Sequence, residues 1–372
     1  MPTHCDRGPA HDVGLRPTAD QLHLFEPYTL VREPPSTRYQ GSKLKLLPWI
    51  WDNIADLPFS TALDAFGGTG SVSYLLKTHG KAVTYNDYLQ FNCLVGKAII
   101  ENSAVRLSDQ DLEFLLHRDP AFHYDQFIAR TFHDVYFTDE EDQWLDTVSQ
   151  NIPRLENPHK RALAYYSLFQ SCIIKRPYNL FHRKNLYMRS ADVERRFGNK
   201  ATWDRPFEDH FRSFVAQANR AVFDSGVPCR ALCYDALSVP GSYDLVYIDT
   251  PYINRRGVGV DYLAFYHFLE GLTDYPHWSK RVDYGKKHRP LKGQKSPWSD
   301  RRRCVSAFGE LFRRYSNAIL AVSYRTDGIP PERELIRLLE AVKGTVRTAH
   351  FGDYKYVLST NDDSQETLLI AR

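Results

Sequence analysis

The 372-residue chain contains no run approaching the roughly 18 consecutive apolar residues that a membrane-crossing helix requires. Its first stretch, MPTHCDRGPAHDVGLRPTADQ, has no apolar core and so no pattern of a secretory leader. Charge of one sign is also missing. Lys and Arg number 48 against 45 Asp and Glu, a formal net charge of +3, so a polyanionic partner has to be met by a local basic patch. The six cysteines (Cys5, Cys93, Cys172, Cys229, Cys233, Cys304) are scattered, and the one close pair, Cys229 and Cys233, has neither a second pair nor a histidine cluster beside it. No bound metal and no disulfide framework are expected, and a reducing cytoplasm is the expected compartment. Internal repeats and low-complexity blocks are absent as well.

What is present is an α/β pattern broken by a helical stretch. Residues 1–37, ending in the proline-rich REPPST, read as a poorly ordered tail. Leu44, Leu47, Ile50 and Trp51 fall at helical spacing. TALDAFGGTGSVSYLLKTHG then reads as strand, glycine turn and helix, and KAVTYNDY as a second strand followed by a helix. That order opens a doubly wound sheet. From Ser103 the character changes. Ser108–Asp111 and Thr138–Glu141 carry helix-capping signals, HKRALAYYSLFQSCII is a long apolar helix, and Phe207, Phe211, Phe214 and Ala218 mark another by period. The α/β pattern returns at ALCYDALSVP, YDLVYIDTPYI and AILAVSYRTDG. A helix at PPERELIRLLEAV follows, and YKYVLSTNDDSQETLLIAR closes the chain as a hairpin. Domain boundaries are expected at 38–102 and 225–372 for the two parts of the sheet domain, with 103–224 as an insert.

Several short stretches could carry chemistry. Phe66-Gly67-Gly68-Thr69-Gly70 joins a strand to a helix, where glycines let backbone approach a nucleotide-like cofactor. Asp87 ends the second strand, where ribose hydroxyls are bound in such folds. Asp235 ends the next strand, where an acceptor can take a purine amino group. Tyr39 and Lys43 flank a small-residue turn before the first helix. Asp249-Thr250-Pro251-Tyr252 ends the greasy run LVYI, at the strand end where open α/β sheets hold ligands. Each of these residues is also an ordinary turn former or cap when taken alone.

Taken in order, YQGSK, DAFGGTG, Asp87, a helical insert, Asp235 and YDLVYIDTPY resemble the D12 class of DNA adenine-N6 methyltransferases, the Dam-like enzymes. The resemblance runs from Arg38 to the C-terminus and is vague across the insert. It implies a Rossmann-like methyltransferase sheet with a mostly helical inserted target-recognition domain. It implies S-adenosylmethionine as cofactor, with Tyr39 and Lys43 packing on it and holding its methionine carboxylate. Phe66, Gly68 and Gly70 would form its loop, Asp87 would bind its ribose and Asp235 its adenine. It makes Asp249, Thr250, Pro251 and Tyr252 the catalytic Asp-Pro-Pro-Tyr motif, with threonine in place of the first proline.

That chemistry has a physical reason. The lone pair of adenine N6 is delocalised into the ring. Two acceptors, the Asp249 carboxylate and the Thr250 carbonyl, would favour a tetrahedral nitrogen and stabilise its developing charge. The base must leave the duplex, and Tyr252 is the expected π face for it. Double-stranded DNA would be gripped by basic residues interleaved with aromatics, Lys175, Arg176, Arg183 and Lys184 in the insert and Lys286 and Lys287 after the catalytic strand. Arg255 and Arg256 are expected against the flipped nucleotide's backbone. A cognate restriction endonuclease acting separately is the expected companion. Transfer to cytosine N4 or to RNA adenine, or a catalytically dead DNA-binding protein of the same fold, remain open.

Overall fold

A computed structural model of the chain describes residues 32–191, 200–254, 257–293, 296–351 and 365–372. Its centre is a seven-stranded sheet: β1 (Thr61–Asp64), β2 (Ala82–Asn86), β3 (Arg230–Leu232), β4 (Leu245–Ile248), β5 (Ile319–Arg325), β6 (Val346–Phe351) and β7 (Glu366–Ala371). The spatial order is β3-β2-β1-β4-β5-β7-β6. The first five strands are parallel, while β7 pairs antiparallel with both β5 and β6. Two of these strands precede the helical insert and the rest follow it, as the sequence pattern predicts.

The apolar strands are buried because helices cover the sheet. Leu63, Val246, Ile248, Leu320, Val322 and Leu369 pack against Phe308, Leu311 and Phe312 of the helix Cys304–Arg314 and Leu335 and Leu339 of Glu332–Glu340. Parallel register aligns the carboxyl ends. Asp64 lies opposite Tyr85 on one side and Tyr247 on the other, and Asn86 lies opposite Leu232. Chain order reverses at β1, between β2 and β4, so a crevice opens there, beyond the strand ends.

The insert is helical as expected. Ser108 and Thr138 each form a reciprocal capping box, with Asp111 and Glu141 respectively, and start the helices Asp109–Leu116 and Asp139–Asn151. The apolar segment is the helix Pro158–Ile174, capped by Asn157, and the phenylalanine-spaced segment is Phe207–Ala221. Residues Val31–Arg372 cluster as one compact unit. The insert leans on the sheet part through Phe91 against Phe169 at 5.8 Å and the Tyr74 hydroxyl on the Ala221 carbonyl.

Two expectations need correction. The strand that pairs with β7 is Val346–Phe351, upstream of the expected YKYVL, which lies with the expected turn outside the described residues. Cys93 and Cys233 are joined as a disulfide, Cα atoms 5.6 Å apart. They are 140 residues apart in sequence, and only the pairing of β2 with β3 brings them together. The cysteine pattern therefore no longer argues for a reducing compartment. Among the described residues no helix is long and apolar enough to cross a membrane, and no group of three or more His, Cys, Asp or Glu could hold a metal ion.

Candidate active site

The crevice at the strand ends is a cavity of about 270 Å³. Its lining includes Tyr39, Lys43, Phe66, Gly68, Asp87, Asp235, Asp249 and Pro251, residues spread over more than two hundred positions of sequence. The glycine turn follows β1 directly. Gly67 donates to the Asn86 carbonyl at 2.7 Å, and a Cβ on Gly67 would lie 2.1 Å from the Tyr85 ring, so only glycine lets this loop lie against β2. Gly68 donates to Asp87 at 3.0 Å, and the Tyr85 hydroxyl holds the Gly68 carbonyl at 2.8 Å. Gly70 is left-handed (φ 72°) and starts the helix Ser71–Thr78. Phe66 meets Trp298 edge-on at 5.1 Å in the cavity wall.

The acidic side chains differ in environment. Asp64 is buried, accepts from Ser73 at 2.7 Å through one oxygen and leaves the other without a partner among the described residues. Burial pushes its carboxyl up to about 7, and the Ser73 hydroxyl opposes the rise. Asp87 accepts from the backbone of Gly68 and Leu89, yet burial outweighs these bonds and raises its pKa. Asp235 is exposed, and its Oδ1 caps the Leu237 N–H at 2.9 Å.

The turn before the first helix comes under a tyrosine stack. The Tyr39 ring lies parallel to Tyr266 at 4.4 Å and to Tyr262 at 5.6 Å. Gly41 has φ 89°, and a Cβ there would stand 2.4 Å from the Tyr262 hydroxyl. This turn sends Lys43 inward. Its ammonium is 2.8 Å from Glu366 Oε1, 3.2 Å from Asp249 Oδ1 and 2.5 Å from the Tyr252 hydroxyl. Three acceptors thus match its three hydrogens. Lys43 lines the cavity, and its ammonium is directed to Asp249, Tyr252 and Glu366. Burial opposes the Lys43 charge, but Asp249 and Glu366 outweigh it and raise its pKa.

Asp249 stands at the end of β4. The Tyr252 hydroxyl donates to its Oδ1 at 2.7 Å, beside Lys43 on the same oxygen, while Oδ2 carries no hydrogen bond to a described residue. The side chain is 17% exposed, so the carboxylate reaches the cavity. Burial raises its pKa to about 6, with Lys43 opposing and Glu366 adding to the rise. Thr250 is buried and its hydroxyl has no partner among the described residues. Pro251 lines the cavity. The ring of Tyr252 packs against the sheet core and meets Tyr324 edge-on at 5.7 Å.

The basic residues divide. Arg183, Lys184, Lys286 and Lys287 are exposed; Lys184 pairs with Asp134 at 2.6 Å and Lys286 lies 3.7 Å from Asp283. Arg255 and Arg256 lie outside the described residues. Lys175 and Arg176 are buried, which corrects their expected place on DNA. Lys175 pairs with Glu141 at 2.7 Å, and Arg176 bonds the Tyr136 and Leu180 carbonyls and Asn185. Buried charges of this kind are paired inside the fold and cannot reach a phosphate.

Sequence reasoning missed Glu366, Asp64, Tyr262 and Tyr266. A carboxylate heading the apolar run TLLIA was the available signal for Glu366; the tyrosines had none beyond aromatic abundance.

A family model for D12 class N6 adenine-specific DNA methyltransferases matches residues 39–319. The Type II methyltransferase M2.HphI of Haemophilus parahaemolyticus is 30% identical over 243 residues, covering 63% of this chain and 70% of that protein. Modification methylase LlaI of Lactococcus lactis subsp. lactis is 26% identical over 348 residues (88% and 52%), and modification methylase StsI of Streptococcus sanguinis 24% over 328 (82% and 46%). The chain spans about half the length of the latter two. Among solved structures, the rRNA methyltransferase aviRa of Streptomyces viridochromogenes aligns over 90% of this chain and 87% of its own at 13% identity and a TM-score of 0.29, too distant to bear on the fold. With the family model spanning Tyr39, the glycine loop and Asp249 in order, the chain belongs to the D12 class of N6 adenine-specific DNA methyltransferases.

Proposed function

We propose that the protein transfers a methyl group from S-adenosylmethionine to N6 of an adenine flipped out of duplex DNA at a specific sequence, as the modification partner of a separate restriction endonuclease or as a solitary methylase. The observation that carries this reading is the state of Asp249: a cavity-lining carboxylate with one oxygen tied by Lys43 and Tyr252 and the other without a hydrogen bond to a described residue.

The residues present fit the cofactor. The glycine loop offers close backbone, Asp87 and Asp235 supply acceptors at adjacent strand ends, and Tyr88 and Tyr234, 70% and 46% exposed, place aromatic faces in the same wall. When bound, the cofactor supplies an electrophilic methyl on a sulfonium. The chain's own part is to hold the amino group. Asp249 Oδ2 accepts one N6 hydrogen and the Thr250 carbonyl the other, which localises the lone pair and stabilises the charge that grows on nitrogen. Burial around Asp249 strengthens that bond. No covalent enzyme intermediate is required, so the buried Cys172 and Cys304 have no part. The inward Tyr252 hydroxyl leaves its ring edge toward Tyr324. It serves as a brace for Asp249, its ring packed on the sheet core and under the Lys43 ammonium; the base-stacking role rests on the family motif alone. Exposed Arg183, Lys184, Lys286 and Lys287 supply phosphate contacts.

Incubation with methyl-tritiated S-adenosylmethionine and mixed-sequence duplex DNA, followed by digestion to nucleosides, tests the reading. Label in N6-methyladenine is expected. Label in N4-methylcytosine, label in RNA alone, or tight DNA binding without transfer would each replace it with one of the open alternatives.

A further inference from the structure

Glu366 lies outside every motif that assigns function to this chain, and beyond the residues matched by the family model. It heads β7, fully buried, antiparallel to β5 and opposite Arg325 in register. Its Oε1 accepts from the Ser323 hydroxyl at 2.5 Å and the Lys43 ammonium at 2.8 Å, and at 3.2 Å it shares the single Tyr252 proton with the nearer Asp249 Oδ1. Two of those donors, Lys43 and Tyr252, also hold Asp249, and both do so at Oδ1. The cluster has a direction. Glu366 stands behind, Lys43 and Tyr252 stand between, and Asp249 stands in front with Oδ2 free of described partners. A tyrosine has one proton and an ammonium three. Lys43 therefore gives one hydrogen to each carboxylate, and the one Tyr252 proton lies between them, nearer Asp249.

We infer that Glu366 is a positioning residue for methyl transfer: by anchoring Lys43 and Tyr252 from β7, it ties Asp249 Oδ1 down and leaves Oδ2 aimed at the substrate amino group. The inference deepens the proposed transfer to adenine N6 and rests on it. A carboxylate buried beside a catalytic carboxylate has no obvious stabilising purpose. Two acids around one lysine leave a net negative charge in the interior, which costs more than a neutral residue there. The arrangement makes sense as geometry for Asp249.

It also sets the charge that Asp249 feels. The groups facing Asp249 are Lys43 from the turn before the first helix, Tyr252 from its own loop, Glu366 from β7, Asp64 from β1, Tyr247 from β4 and Tyr262 from the helix Tyr262–Leu272. Lys43 favours the ionised carboxylate, while Glu366 and Asp64 repel it. Removing the Glu366 charge takes away one repulsion and leaves the whole ammonium to Asp249. The carboxylate is then easier to ionise but no longer braced from behind.

The test is E366Q in the full chain, a change that keeps size and one acceptor. Methyl transfer to duplex DNA is measured from pH 5 to 9 beside wild type, with cofactor affinity by calorimetry as the check on folding. The expected result is a fall in kcat of at least about tenfold at pH 8, the loss of about one well-placed hydrogen bond. The KM for S-adenosylmethionine should stay within about threefold, because no cofactor contact is assigned to Glu366, and the acid limb should move to lower pH. S323A, which removes one donor and leaves the charge, should lower kcat less and leave the limb in place. An E366Q enzyme with wild-type kcat and an unmoved limb overturns the inference. So does a fall in kcat with an unmoved limb and weakened cofactor binding, which marks a merely structural role. Wild-type enzyme that transfers no methyl group at all overturns the functional reading instead.

Discussion

Asp249 and Thr250 stand side by side and answer to different physics. In the proposed transfer Asp249 works through its side chain, and its pKa of about 6 means the acceptor form is complete only above that pH. Transfer should lose about tenfold per pH unit below pH 6, read from kcat/KM on one short duplex. A profile flat down to pH 4.5 would mean that Asp249 does not have to be ionised. In the same proposal Thr250 works through its backbone, which makes its side chain dispensable. Its hydroxyl is buried without a partner among the described residues, a cost of about 1–3 kcal/mol. Thr250→Val should keep activity within about threefold and raise the urea midpoint, since it keeps shape and removes the orphan. A large loss of activity would mean that the hydroxyl meets substrate. Tyr252→Phe keeps the ring and cuts the bond to Oδ1, so kcat should fall about tenfold with duplex affinity unchanged. At this scale the sequence offers candidates where residues are contiguous: Asp249 to Tyr252 and Phe66 to Gly70 stand out from a short string. Glu366 could not, because its role arises from antiparallel pairing across β5, which no local pattern encodes.

Elements were legible where local chemistry is strong. Both capping boxes formed as written, since the Ser108–Asp111 and Thr138–Glu141 pairs each satisfy two free backbone donors within one turn. Charge runs were less legible. Nothing local in the sequence distinguishes Lys175 and Arg176, which face inward, from Arg183 and Lys184, which face out, because Lys175 is drawn in by Glu141 from another helix. The same helix, Asp139–Asn151, buries two acids, Asp142 and Asp146. Asp142 is fully buried and neither of its oxygens has a partner among the described residues. Burial, with Asp146 and Glu141 adding, raises its pKa to about 9. The unfolded chain ionises this group near pH 4, so its contribution to stability is complete below about pH 4 and is lost progressively as pH rises toward 9. Asp142→Asn cannot ionise. It should match wild type at pH 5 more closely than at pH 8, its advantage growing by as much as about 4 kcal/mol between the two in urea unfolding. Stability curves that run parallel in pH would contradict this.

At the scale of the molecule, the order of strands explains why distant stretches meet. A sheet in the order β3-β2-β1-β4-β5-β7-β6 brings the ends of β1, β2, β3 and β4 to one crevice, although the insert separates β2 from β3 in sequence. The fold class was legible because strand–turn–helix units repeat; the partner of β7 and the Cys93–Cys233 disulfide were not, since both depend on long-range register. With a net charge of only +3, affinity for DNA has to come from the exposed local patches. Replacing Arg183 and Lys287 by Gln together should weaken duplex binding at every sequence. The slope of log affinity against log salt should become shallower by about 0.9 for each phosphate no longer neutralised. A slope that does not change would place the DNA on another face. The central claim, adenine-N6 transfer at the end of β4, is tested most directly by methylation-sensitive long-read sequencing of genomic DNA from cells expressing the wild-type protein or Asp249→Ala. N6-methyladenine at one recurring sequence with wild type and none with Asp249→Ala is the predicted result. N4-methylcytosine, or an unchanged adenine pattern in the variant, would contradict it.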